Sequence, residues 1–199
     1  MRFTISICLI AAFGLLNTGC VDSRPIHFYN IETPPPPAIA EAPAGPVLLV
    51  GNISVPPELQ DGRIRYRVGS NEVGAYQFHR WMERPGMMVA ESLVQTLRAS
   101  GKYRSVLESS SLAAGDYLLR GKLYEFDEVD RETIQTSISL QVDLEDVKTK
   151  RIVWDDLVQR DEPVGSKNVK DVVASLDRNL RAVVKETASE IDKFLTARH

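Results

Sequence analysis

The stretch Ile134–Leu144 carries an apolar or methyl-bearing residue at every even position and a polar one at every odd position. That period of two is the pattern of a half-buried strand, so Ile134, Thr136, Ile138, Leu140, Val142 and Leu144 are expected on a core. Gln135, Ser137, Ser139, Gln141 and Asp143 are then expected to face water or a partner. A one-residue slip would exchange the two faces, so burial fixes the register of any neighbour. Tyr117–Phe126 and Arg151–Val158 are rich in strand formers and are separated from the central strand only by the polar links Asp127–Glu132 and Asp146–Lys150. Links this short join antiparallel neighbours, so the middle of the chain is predicted to be a meander. The apolar phase of Tyr117–Phe126 changes after Leu123, which predicts a bulge near Tyr124 or Glu125.

The flanks supply further strands and two helices. Val47–Val55 is apolar enough for a buried strand, which Pro56 and Pro57 end. Arg63–Val68 alternates, with Ile64, Tyr66 and Val68 on one side, and Glu72–His79 alternates less cleanly, so the link beginning at Gly69 is a hairpin candidate. Pro85 suits a first helical turn and Gly101 a C-terminal cap, with Ala90, Leu93, Val94 and Leu97 forming an apolar stripe between them. The strongest helix signal runs from Val169 to about Leu195, where Val172, Leu176, Leu180, Val183 and Ile191 recur at three- and four-residue spacing. Asn168 can cap it, and its charged opposite face reads as solvated. With 199 residues and 43% hydrophobic content, one core is the economical reading. The predicted class is α+β: a single domain over residues 47–199 with an antiparallel sheet packed against two α-helices.

The beginning of the chain reads differently. Met1-Arg2, the apolar run Ile5–Leu16 and the small-residue zone ending at Cys20 form an export signal over residues 1–19, too short for a spanning helix. Gly19-Cys20 resembles a bacterial lipobox, in which the cysteine is diacylated and becomes the mature N-terminus. Asn17 stands where leucine is expected and Leu16 is one place early; an ordinary signal peptide cut near Gly19 is the alternative. The only other cysteine, Cys8, lies inside the signal, so Cys20 has no disulfide partner in the mature chain and lipidation is its expected use. Val21 follows it, whereas the inner-membrane retention pattern of enteric lipoproteins has aspartate there, so the outer membrane is expected. Residues 20–46 then hold a short strand candidate, Ile26–Ile31, and a Pro-rich stretch from Thr33 to Pro46. As polyproline II the latter would span roughly 40 Å. A tether and a surface loop joining the first strand to the second are equal readings of it.

Little chemistry is visible. A net charge of −3 and the lack of a basic run argue against a nucleic-acid surface. His27, His79 and His199 stand far apart in the sequence and in no zinc-ligand spacing, and no nucleophile elbow, phosphate loop or dinucleotide fingerprint occurs. Ser109–Ser111 lies in a loop with no histidine pattern to activate it, and the acidic pairs Asp155-Asp156 and Asp161-Glu162 read as a solvated edge. No catalytic residue, metal or cofactor is expected. Tyr76, Arg80 and Trp81 are the candidate partner-binding residues, with core packing the competing reading for Trp81.

Taken in order, these elements resemble the ABC-type transport auxiliary lipoproteins, the group that contains paraquat-inducible protein C. Tyr29-Asn-Ile31 before prolines is similar to the family's opening strand, Glu72-Val73 with Tyr76 and Arg80-Trp81 to its strand ending before the first helix, and Asp116–Phe126 with Val142–Asp146 to its central strands. Glu58–Arg67 departs from the family pattern. The resemblance implies a non-enzymatic outer-membrane lipoprotein on the periplasmic face, docking a substrate-binding protein of the mammalian-cell-entry type in an intermembrane lipid transport system. A homo-oligomeric ring is compatible with such a role. The alternatives are a lipid or lipopolysaccharide carrier and, more remotely, a periplasmic hydrolase.

Overall fold

The computed structural model describes residues 24–32, 45–111 and 113–198. The signal, Cys20, the Pro-rich stretch up to residue 44 and His199 lie outside the described residues. The strands are β1 (His27–Tyr29), β2 (Val47–Ser54), β3 (Arg63–Val68), β4 (Glu72–Trp81), β5 (Ser105–Glu108), β6 (Tyr117–Asp130), β7 (Ile134–Asp146) and β8 (Arg151–Pro163). The helices are α1 (Pro85–Ala99) and α2 (Val169–Thr196).

The meander is present as β6–β7–β8, both pairings antiparallel, and the even-numbered side chains of β7 from Thr136 to Leu144 are fully buried. The register shift between Leu123 and Glu125 is the expected bulge. The polar link expected at Asp127–Glu132 is mostly strand instead, because β6 runs on to Asp130. Its acids have tertiary partners: Arg67 beside Asp127, Tyr76 on Glu128 and Lys167 on Asp130. Local polarity therefore marks ion pairing here, not a turn. β8 likewise outlasts its expected end at Val158, where α2 supports it: Asn179 Nδ2 donates to the Arg160 carbonyl at 3.0 Å and Ser175 Oγ to that of Pro163 at 3.1 Å.

The α+β class holds, with two helices and one sheet of eight strands, but the sheet is mixed. β3–β4 and the meander are antiparallel; β1–β4, β2–β5, β2–β6 and β3–β6 are parallel. β6 is the hub, its first half beside β2, its second half beside β3, and β7 along its other edge. Both helices pack on one face, α1 on β2 and β5, α2 on β7 and β8, and they touch each other. β5 has no counterpart among the expected strands, since four residues are too few to establish a period. β1 and β2 belong to the same sheet, so the Pro-rich stretch joins two strands of one domain.

Sequence accounts for the helix positions. Pro85 opens α1, Leu93, Val94 and Leu97 are buried, and Gly101 follows the C-cap at φ 67°, a conformation that favours glycine. Gly86 is needed for a different reason: a Cβ there would lie 2.4 Å from the Ile53 carbonyl oxygen, so the helix start packs directly on β2. In α2 the Asn168 side chain accepts from the Asp171 amide at 2.9 Å, and Leu176, Leu180, Val183 and Ile191 are fully buried. Each such side chain contributes about 1.5–3 kcal/mol by leaving water. Ser175, Asn179 and Thr187 interrupt this stripe and are also fully buried. Ser175 Oγ and Asn179 Nδ2 bond to Thr136 and to β8 carbonyls, which ties the helix to the strands.

Candidate interaction surfaces

The three residues expected to meet a partner do not form one surface. Trp81 is 4% exposed and packs edge-on against Phe126, ring centroids 5.4 Å apart. It belongs to the core, so the competing reading of this residue is the one the packing supports. Tyr76 is half-buried on the same side and donates from its hydroxyl to Glu128 Oε2 at 2.6 Å. Burial, reinforced by that carboxylate, raises the Tyr76 phenol well above its ordinary range, so it acts as a hydrogen-bond donor throughout the physiological range. Arg80 is half-buried and stands in register with the exposed Phe28 of β1, with its Nε buried and without an acceptor among the described residues.

A contact invisible in the sequence lies beside them. Parallel pairing of β1 with β4 sets His27 opposite His79, the rings stacked at 5.2 Å, and Tyr29 Oη lies 2.8 Å from His79 Nδ1. Tyr76 touches His79 edge-on at 5.8 Å and Tyr66 at 5.2 Å. Burial, with a smaller contribution from His27, pushes His79 below the ordinary histidine value. Two histidines far apart in sequence thus meet, yet no group of three or more metal-ligating side chains converges among the described residues.

Between its edges the face of the sheet away from the helices is largely polar. Register sets Ser137 opposite Asp161, Ser139 opposite Gln159, Gln141 opposite Leu157 and Asp143 opposite Asp155. Arg67 of β3 reaches across to β6, donating through Nη1 to Glu125 Oε1 at 2.9 Å, while its Nε lies 2.9 Å from Asp127 Oδ2 without hydrogen-bond alignment. Ser137 Oγ donates to the other Glu125 oxygen at 2.9 Å. Burial pushes Glu125 up, but the bonds from Arg67 and Ser137 outweigh it and hold the carboxyl below its ordinary range. Burial wins at Asp127, whose carboxyl sits above its ordinary range although Arg67 opposes the shift. Nearer the other end Arg120 and Lys150 flank Glu145 at 2.5 and 3.7 Å, and Lys122 lies over the Tyr124 ring at 4.5 Å. Leu157 and Ile152, both 56% exposed, stand on β8, an edge strand that pairs with β7 alone among the described residues.

A groove of about 940 Å³ opens where α2 ends, between the starts of β2, β5 and β6. Its walls are charged: Lys102, Arg104 and Lys148 face it along with Asp116 and Asp192. Tyr103 on its floor donates to Asp192 Oδ1 at 2.6 Å, and burial together with that carboxylate raises its phenol far above the ordinary range. Pro46, Tyr117 and Leu195 add apolar surface between these charges.

Two comparisons bear on this arrangement. The family model of the ABC-type transport auxiliary lipoprotein component matches residues 29–188, from the end of β1 deep into α2. The chain belongs to this family. Among solved structures, the auxiliary lipoprotein is similar to a Xanthomonas campestris protein at 21% identity and a TM-score of 0.75, covering 87% of this chain and 99% of that one. A second crystal structure, of an uncharacterised protein, matches at 14% identity and a TM-score of 0.68 over 84% of this chain and 99% of the other. Both likenesses speak for the shared α+β fold alone. No curated protein matches the sequence. The family is one of transport auxiliaries and not an enzyme family. No helix of the auxiliary lipoprotein among the described residues is long and apolar enough to cross a membrane.

Proposed function

We propose that this auxiliary lipoprotein is the outer-membrane docking subunit of an ABC transport system that moves lipid between membranes, held by acyl chains on Cys20 after removal of residues 1–19. Its helix-free face receives a periplasmic partner, the mammalian-cell-entry type substrate-binding protein, and no reaction is catalysed. The observation that carries the docking role is the one-sided sheet. Both helices cover one face, while the other presents ordered charges and exposed Leu157 and Ile152 on β8, an edge strand paired on one side only among the described residues. Such mixed polar and apolar surface, with arginines already held in place, is suited to partner recognition. Family membership supports the transport setting.

The test is crosslinking with mass spectrometry on membranes of the native host, wild type beside Cys20→Ala. Wild type is expected to capture a mammalian-cell-entry protein, and the variant to lose outer-membrane fractionation. No capture from wild type, with stoichiometric lipid in extracts of the purified protein, would transfer support to the carrier reading.

A further inference from the structure

The β1 edge of the helix-free face carries a feature that docking a periplasmic protein does not use. Phe28, on β1, is 57% exposed, Ile26 just before it is 46% exposed, and Met82, whose amide donates to the Tyr29 carbonyl at 2.7 Å, is 63% exposed. Ile26 and Phe28 share one side of the strand with Arg24, whose guanidinium lies 5.8 Å from the Phe78 ring centroid. Arg80 stands beside Phe28, and exposed Arg84 lies two residues beyond Met82. Arg80 and Arg84 border the apolar trio, with Glu83 between Met82 and Arg84 in the sequence. Exposed aliphatic and aromatic side chains bordered by arginines match an interfacial membrane surface, where rings enter the headgroup boundary and guanidinium groups meet phosphate.

The chain itself says what this patch meets. Ile26 is six residues after Cys20. Six residues reach at most about 20 Å when fully extended. If Cys20 is acylated, as the proposed function holds, the patch cannot leave the vicinity of the lipid headgroups. We infer that Ile26, Phe28 and Met82 insert at the surface of the bilayer that holds the anchor, with Arg80 and Arg84 on anionic phospholipid phosphates. The sheet then stands with β1 against the membrane and β8 away from it. The acyl chains and the patch act as two membrane signals that fix orientation as well as attachment, and the partner-binding face is presented at a set angle.

The test uses the whole acylated lipoprotein reconstituted in vesicles of phosphatidylethanolamine and phosphatidylglycerol, with bromine on the lipid acyl chains near the headgroup. Phe28→Trp and Leu157→Trp are compared for bromine quenching above that of native Trp81 and Trp154, since both positions are exposed and lie on opposite edges of the sheet. Quenching severalfold greater at position 28, reduced in phosphatidylcholine vesicles or by R84Q, is expected. Equal quenching at both positions, or none at 28 because a protein or water occupies the patch, overturns the inference. The intact mass of the N-terminal peptide separates the two readings. Should it carry no acyl chain, anchoring fails, and the patch is judged by cosedimentation of the same chain with anionic vesicles. I26D with F28D must then lower the bound fraction while leaving the circular dichroism unchanged; an undiminished fraction overturns it.

Discussion

On the helix-covered face β7 presents Thr136, Ile138, Leu140, Val142 and Leu144, all fully buried; on the opposite face the same strand presents Gln135, Ser137, Ser139, Gln141 and Asp143. Ser137 and Ser139 are nearly as buried as their apolar neighbours although no helix covers them, in a strand flanked by β6 and β8 along most of its length and crossed nearby by Arg67 and Glu125. The covered face gains its stability from removing hydrocarbon from water. The open face instead keeps charges at a cost in desolvation and holds them in fixed positions. A face with that chemistry contributes little to the core and, in the proposed docking role, supplies the recognition.

The sharpest break in this comparison comes from the covered face. Phe126→Ala removes a fully buried ring that supports Trp81 and is expected to cost about 3–5 kcal/mol, read as a lower denaturation midpoint at unchanged m-value. A loss below about 1 kcal/mol would mean that this face is not the main source of stability. On the open face, Arg67→Met leaves Glu125 and the buried Asp127 without their cation and should cost about 1–3 kcal/mol at neutral pH. The sign follows from Glu125: its depressed folded value contributes stability above the ordinary glutamate range, and this is lost as pH falls through that depressed value. The gap between wild type and variant should therefore narrow in acid; a gap that widens would contradict the assignment. Asn168→Ala, which removes the α2 cap, should cost about 1 kcal/mol without touching the open face.

The smallest effect is local. His79 has a folded value below its ordinary one, so the contribution of β1 docking is complete above the ordinary histidine range and is lost as pH falls through the depressed value. Amide exchange of His27–Tyr29, corrected for the intrinsic rate, should accelerate in mild acid while that of β7 stays constant. Exchange at β1 that is flat with pH would detach His79 from strand docking.

What could be read from sequence follows the range of the contacts. β7 and its antiparallel neighbours are joined by short turns, so an alternating pattern locates them and even the bulge after Leu123. The parallel joints have no local signature, and Tyr29 meets His79 across 50 positions. Hence the mixed sheet, the histidine stack and the short β5 are visible only in the fold. The candidate residues divided for a related reason. Trp81 and Arg80 are neighbours in sequence, and the period of a strand sends one into the core and the other toward the open face. Asn179 and Ser175 sit on an apolar helical stripe that predicts nothing polar, yet they bind carbonyls of β7 and β8, partners that no periodicity names.

The most direct measurement is a photocrosslinking amino acid placed in living cells of the native host at Leu157 on the open face or at Lys185 on the outer side of α2, both exposed. Capture of a mammalian-cell-entry type protein from position 157 and not from 185 is the expected result. Capture from position 185 alone, or from neither while the lipoprotein remains in the membrane fraction, would contradict the assignment of the helix-free face as the docking surface.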